Sequence, residues 1–332
     1  MTKLTHTLRN LLHARAFTSL TTVGLLLILF GAGAALFPGF GSVQVVFNLL
    51  IDNAWLLVLA IGLTFVILSG GIDLSVGSVL ALSTMLCGFL LQSWHWPALL
   101  VIALVLCGGV LFGATMGVLI HFFKLQPFIV TLAGMFLARG LCYLISINSI
   151  TITDPLFTVM SQSQIMLFDA FISPSVVIAA VVLLVAVGVA HGTAFGRIVY
   201  AIGGNEQSAL MMGLPVGAVK VGIYALSGFC AALGGVLFSF YMLSGYALHG
   251  QGAELDAIAA VVIGGTLLSG GVGYVAGTVT GVLVLGTIQT MIAFDGTLSS
   301  WWTKIVIGGL LLGFCLVQRI MTRSSVHPNI NR

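Results

Sequence analysis

The chain has 332 residues, of which 59% are hydrophobic and only 6% charged, where a soluble domain carries about 25%. Eleven Lys and Arg against eight Asp and Glu leave a net charge of +3. Those charges cannot cover a soluble fold of this length, and composition also excludes disorder, a collagen-like repeat and a nucleic-acid reader. What remains is an all-α polytopic membrane protein.

A spanning helix takes about 20 largely apolar residues. Residues 1–16 carry Lys3, Arg9 and Arg15 and read as an N-terminal tail. The apolar stretch from Phe17 to Leu36 is too long for the core of a cleaved signal peptide, so it reads as a retained first span. The turn 37–41 follows it. Spans two to five fall at about 45–69, 74–93, 98–120 and 127–147, with Pro127 suited to a first helical turn. Residues 148–173, which hold Asp154 and Asp169, form a more polar loop. Ser173 and Pro174 read as N-cap and first residue of span six, which ends near His191. Residues 192–218 are the longest clearly polar stretch between spans. Spans seven to ten fall near 219–243, 255–270, 273–293 and 301–318, and 319–332 form a C-terminal tail. The eighth is short and broken by glycine, so it either spans fully or re-enters.

Ten spans within one permease domain (17–318) place both termini on the same side. Lys3, Arg9, Arg15, Lys124, Arg197, Lys220, Arg319, Arg323 and Arg332 all fall on that side. Asp154, Asp169 and Asp295 fall on the other. The positive-inside rule therefore puts both termini and the 192–218 loop in the cytoplasm and the 148–173 loop outside.

Glycine is placed with a period. Gly109, Gly113 and Gly117 repeat every four residues, as do Gly273, Gly277 and Gly281. That spacing lets helix backbones approach closely, within one subunit or between two. Leu-Ser-Gly-Gly occurs at 68–71 and again at 268–271. Paired, glycine-broken hydrophobic segments point to the substrate region of a transporter.

Several chemistries are missing. None of the four Lys precedes Ser or Thr, so there is no Walker A loop. The seven His have no partner at ligand spacing, and no two of the five Cys lie within four residues of each other. No nucleophile elbow occurs. The chain reads as a non-enzyme with no metal and no cofactor.

The remaining polar residues carry the functional hypotheses, because ionisable groups are expensive in lipid. Asp73 sits in Ser69-Gly70-Gly71-Ile72-Asp73-Leu74-Ser75. It either caps the helix that follows or lines a polar cavity together with Ser69, Gly70, Gly71 and Ser75. Arg139 lies inside span five and requires a partner or a cavity. Glu254 and Asp256 precede span eight, as pathway residues or as first-turn anions. Trp301 and Trp302, beside Lys304, suit an interfacial belt or stacking on a sugar. In the 192–218 loop, Asn205 is a good N-cap, Gly213 suits the position just past a helix end, and Pro215 blocks extension. A two-turn helix over 206–212 then puts Glu206, Ala209, Leu210 and Gly213 on one face. Such a surface helix is either a capped connector or a docking knob for a soluble ATPase.

Three strings carry a resemblance. Val66 to Val79 (VILSGGIDLSVGSV), Ala201 to Glu206 (AIGGNE) and Glu254 to Gly273 (ELDAIAAVVIGGTLLSGGVG) resemble the permease family of ribose, arabinose and xylose ABC importers. Phe294 to Ile305, with Asn53-Ala54-Trp55 and Thr64-Phe65-Val66, looks closest to permeases of bacterial galactofuranose importers. The resemblance covers nearly the whole chain from about residue 37. It implies a BtuC-like type II importer permease architecture in the bacterial inner membrane, surrounded by lipid. It further implies cytoplasmic ABC ATPase subunits, a second permease that is a different homologous chain, and a periplasmic sugar-binding protein. The coupling segment matches the family's EAA-type loop loosely, with Gln207-Ser208 where Ala-Ala is usual. The competing reading is a self-contained secondary transporter, which would need more buried carboxylates than this sequence supplies.

Overall fold

A computed structural model describes residues 21–167, 169–299 and 301–326, without the side chains of 317–326. The 1–16 tail and the start of the first span therefore lie outside the described residues. In chain order the helices are α1 (Thr21–Leu36), α2 (Val43–Leu68), α3 (Val76–Gln92), α4 (Ala98–Phe122) and α5 (Pro127–Ile145). There follow α6 (Pro155–Gln162), α7 (Pro174–Gly192), α8 (Ala194–Gly204), α9 (Glu206–Met211) and α10 (Val216–Met242). The last three are α11 (Ala253–Ile263), α12 (Val275–Asp295) and α13 (Trp301–Val326). The C-terminal tail expected from 319 is thus helical at its start.

Helices α2, α4, α5, α7, α10 and α12 are long and apolar enough to cross a bilayer. Helices α1, α3 and the Trp301–Leu316 part of α13 are shorter apolar helices. The proposed eighth span is different. Helix α11 has 11 residues, which at 1.5 Å per residue reach roughly half of a ~30 Å hydrocarbon core. Non-helical chain flanks it on both sides. The segment begins at a ladder in which β4 (Ser244–Gly245) pairs antiparallel with β1 (Ile150–Thr151). It passes Gly250 beside Gly77 and Leu80 at the start of α3, and after α11 it reaches Gly271, whose N–H donates to the Leu68 carbonyl. Among the described residues the chain thus has nine longer apolar helices and, at the segment that either spans or re-enters, one half-helix.

Two further corrections concern the loops. The 148–173 loop carries β1, α6 and a hairpin of β2 (Ile165–Leu167) with β3 (Ala170–Ile172), so short ladders are added to the all-α plan. The 192–218 loop holds a second helix, α8, before the expected one.

Position in the bundle follows from which faces are apolar. From Val58 to Leu68 every residue of α2 is buried, as befits a helix apolar all round at the centre. In the outer layer, Leu111, Phe122, Phe136, Leu144 and Leu184 are between 65% and 83% exposed. Those side chains on α4, α5 and α7 form an apolar outer surface. Both four-residue glycine repeats are packing stripes inside the chain. Gly109, Gly113 and Gly117 seat α4 on α10, where a Cβ at Gly113 would overlap the Tyr224 carbonyl. Gly277 and Gly281 seat α12 on α11, against the carbonyls of Gly264 and Ala260. A Thr64–Thr278 hydroxyl pair at 2.8 Å joins α2 to α12.

Gly113→Leu should therefore lower the melting temperature in detergent by several degrees, since overpacking costs roughly 1–3 kcal/mol. Gly108→Ala, where a Cβ meets nothing within 4 Å, should leave melting unchanged.

Candidate functional site

The α8–α9 segment is built by local rules. Thr193 caps α8 by accepting from the Gly196 N–H at 3.2 Å. Gly196, Val199 and Ile202 form its buried face. Asn205 ends α8 and starts α9, with its side chain accepting from the Ser208 N–H at 2.8 Å. Gly213 follows with φ +75, a conformation that disfavours any Cβ, and the N–H of Leu214 returns to the Ala209 carbonyl.

The two turns of α9 then divide the expected contact face. Ala209 is fully buried beneath the helix. Glu206 turns back to α10, where Lys220 Nζ donates to both carboxylate oxygens at 2.7 Å. Leu210, Met211 and Met212 are 50%, 86% and 66% exposed, with Leu210 at the rim of the cavity beside α9. Glu206 and Ala209 anchor the helix, and the apolar knob is Leu210 to Met212. Sequence periodicity missed the two methionines because it does not say which face of a short helix turns inward.

Behind α9 lies a contact made by backbone alone. Gly203 and Gly204 end α8, Gly70 and Gly71 follow α2, and Gly270 and Gly271 lead to α12. The three pairs meet. A Cβ on Gly203 would overlap the Leu68 carbonyl and the Gly271 N–H. A Cβ on Gly270 would stand 2.7 Å from the Gly70 nitrogen, and one on Gly271 would stand 2.8 Å from the Gly204 nitrogen. The two Leu-Ser-Gly-Gly strings are thus neighbours in space, with the end of α8 between them.

The residues around Asp73 separate into two groups. Ser69, Gly70 and Gly71 line a cavity of about 490 Å³ at the α9 end, with Lys124, Lys220 and Tyr224. Asp73 is buried, and Ser75 with it. One Asp73 oxygen accepts from the Ser75 N–H at 2.9 Å and the Ser75 hydroxyl at 2.6 Å. The other accepts from Ser227 Oγ at 2.7 Å. This carboxylate is a brace between the α2–α3 break and α10. Ser227 carried no signal in the sequence, since a serine in an apolar span is unremarked until a partner meets it.

The acidic pair before α11 also divides. Glu254 lies against Gly77 at the start of α3, where a Cβ would overlap its carboxylate. Asp256 accepts from Lys304 Nζ at 2.6 and 2.8 Å, tying the half-helix to α13. Arg139 finds its partners in the non-helical chain and donates to the carbonyls of Ala247 and His249, the latter at 2.9 Å. Backbone without helical hydrogen bonds is tolerated at membrane depth only where something else satisfies it, and a guanidinium does so here. Trp301 and Trp302, at the start of α13, are 75% and 47% exposed, as side chains of an interfacial belt are.

Residues 45–315 match a family profile described as branched-chain amino acid transport system / permease component. The chain is 51% identical over 287 residues to the inner membrane ABC transporter permease protein YjfF of Escherichia coli K12, covering 86% of this chain and 87% of that one. It is 39% identical to the fructose import permease protein FruG of Bifidobacterium longum, over 91% of this chain and 90% of that one. It is also 39% identical to the ribose import permease protein RbsC of Bacillus subtilis, over 85% and 87%. No solved structure matches. The chain therefore belongs to this permease family: it is a multi-pass component of a bacterial inner-membrane ABC transporter, and ATP hydrolysis falls to partner subunits.

Proposed function

We propose that this chain is one permease subunit of a monosaccharide importer that works by alternating access. In this reading the α9 end faces the cytoplasm, both termini lie there, and the 148–173 loop faces the periplasm. Lys124, Arg197 and Lys220 at the α9 end support that orientation, as do Asp154, Asp169 and Asp295 at the opposite end. The partners are cytoplasmic ABC ATPase subunits, a second and different permease, and a periplasmic sugar-binding protein. The cargo is a sugar, as in the fructose and ribose import permeases that share about two-fifths of the sequence. Galactofuranose is the specific assignment, supported by the resemblance of Asn53-Ala54-Trp55 and of Phe294 to Ile305.

One observation carries the mechanism. An apolar knob (Leu210, Met211, Met212) stands on a helix whose base is locked to the body by Ala209, by the Glu206–Lys220 ion pair and by the glycine junction behind Asn205. Exposed methionine is adaptable apolar surface suited to a protein partner. When the ATPase pair closes, a displacement of α9 is delivered to the breaks that follow α2 and precede α12. Those breaks lead directly into α3 and α12, so a push at one end changes helix positions along the bundle. Ser69, Gly70 and Gly71 line the cavity beside this junction and form the cytoplasmic part of the pathway.

Leu210→Glu combined with Met211→Glu should leave melting unchanged, because both side chains are exposed. The doubly substituted permease should lose co-purification with its ATPase and lose sugar uptake in reconstituted vesicles. Wild-type ATPase binding and uptake in that variant would show that docking occurs elsewhere.

A further inference from the structure

At the end of the bundle opposite α9, a second, partly open cavity of about 500 Å³ lies between helices α2, α10 and α12, its apolar wall set with polar side chains. Small-molecule sites occupy roughly 300–1,000 Å³. From α2 come Asn48 and Asp52, one turn apart along the wall, with Asn53 and Trp55. From α10 come Phe238 and Tyr241, and from α12 come Gln289 and Thr290. An adjoining cavity shares Gln289 and Ala293 and continues to Thr303 and Lys304.

This arrangement is costly. Asp52 lies within α2, a helix apolar enough to span, and a carboxylate there is expensive unless it faces water, a cation or a ligand. Among the described residues its hydrogen-bond partner is the Tyr241 hydroxyl, at 3.1 Å, and it has no ion pair. One wall of the site is fixed in place. Asn53 is buried and anchored to the Leu49 carbonyl at 2.9 Å, and it lies against α12 at Gly286, where a Cβ would stand 2.5 Å from its amide. A larger residue at 286 would push Asn53 out of place. Gln289 and Thr290 are partly exposed on the facing wall.

In the lining, two Asn, a Gln, a Thr and an Asp offer donors and acceptors in several directions. Trp55 and Phe238 meet edge to face with centroids 5.0 Å apart, and Tyr241 stands 6.5 Å from Phe238. Flat aromatic faces beside mixed hydrogen-bonding groups suit a ligand with apolar C–H edges and many hydroxyls. Among the described residues, no Lys or Arg lines this cavity, and Lys304 of the adjoining one is already paired with Asp256. A free amino acid would bring a carboxylate with no cation to meet it, and a phosphorylated sugar would fare worse. A neutral polyol fits.

The geometry points to a neutral-monosaccharide site inside this one permease, between α2, α10 and α12, which receives the sugar at the mouth opposite the ATPase. Asp52, Gln289 and Thr290 hydrogen-bond the hydroxyls, and Trp55 and Phe238 cover a C–H face. The inference rests on the importer reading above and adds to it a place where the cargo first binds.

The test uses the complete importer with its partner subunits. Thr290→Cys should become reactive to a membrane-impermeant maleimide from the periplasmic side of spheroplasts, above the background of the wild-type chain. Galactose, whose aqueous equilibrium includes the furanose, should protect it, with ribose, xylose, fructose and leucine run in parallel. In proteoliposomes, Asp52→Asn and Gln289→Ala should each raise the half-saturating concentration of the transported sugar roughly tenfold, the loss expected for one good hydrogen-bonding group. Both variants should assemble with their partner subunits and melt as the wild-type importer does. A Thr290→Cys importer that does not label, that leucine protects and sugars do not, or that no ligand protects would overturn the site. So would wild-type half-saturation in both Asp52→Asn and Gln289→Ala, and in each of these cases sugar uptake by the wild-type importer leaves the functional reading standing. If the wild-type importer moves none of the four sugars, the functional reading falls, and this site with it.

Discussion

Three backbones can touch at the α9 end only because none of them carries a side chain there. The pairs at 70–71, 203–204 and 270–271 pack peptide on peptide, and the Gly271 N–H reaches the Leu68 carbonyl at 2.8 Å. Contact of that kind is stiff, since there are no rotamers to absorb a displacement. It also brings three segments to one point: the end of α2, the start of α9 and the approach to α12. Asp73 braces the first break against α10 through Ser227, and Glu206 braces α9 against α10 through Lys220.

The opposite half of the molecule solves a different problem, which is how to keep non-helical chain inside a membrane. The 243–252 stretch has carbonyls that no helix satisfies. Arg139 donates to two of them, and the half-helix that follows is held to α13 by the Asp256–Lys304 pair. Both devices use a charged group where lipid would penalise it, and in both the charge is met by protein. The result is a bundle with a rigid glycine junction at one end and a partly open cavity at the other.

Much of this was legible in the sequence wherever a local rule decides the outcome. Pro127 and Pro174 open helices, Asn205 caps α9, and Gly213 takes a positive φ after it. The glycine stripes follow from the need for close approach where no hydrophobic effect drives association. What escaped depends on tertiary partners. The inward turn of Ala209, the saturation of Asp73 by two serines and the meeting of Asn48 and Asp52 with Gln289 are set by distant segments. The echo of Leu-Ser-Gly-Gly at an offset of 200 was visible, but its meaning was not, because only the fold places Gly203 between the two copies. Helix α8 carried a local signal, a Thr193 cap and one apolar face through Val199 and Ile202, inside a stretch read only as polar loop.

One substitution tests whether the glycine junction transmits motion from the ATPase to the helices. Gly203→Ala inserts a single methyl group into the contact with Leu68 and Gly271, while Gly204→Ala places the same methyl where nothing lies within 4 Å. The measurement is the ratio of sugar transported to ATP hydrolysed by the reconstituted importer. The account predicts that Gly203→Ala assembles and hydrolyses ATP yet moves much less sugar per ATP, with Gly204→Ala at the wild-type ratio. An unchanged ratio in Gly203→Ala, with assembly intact, would contradict it.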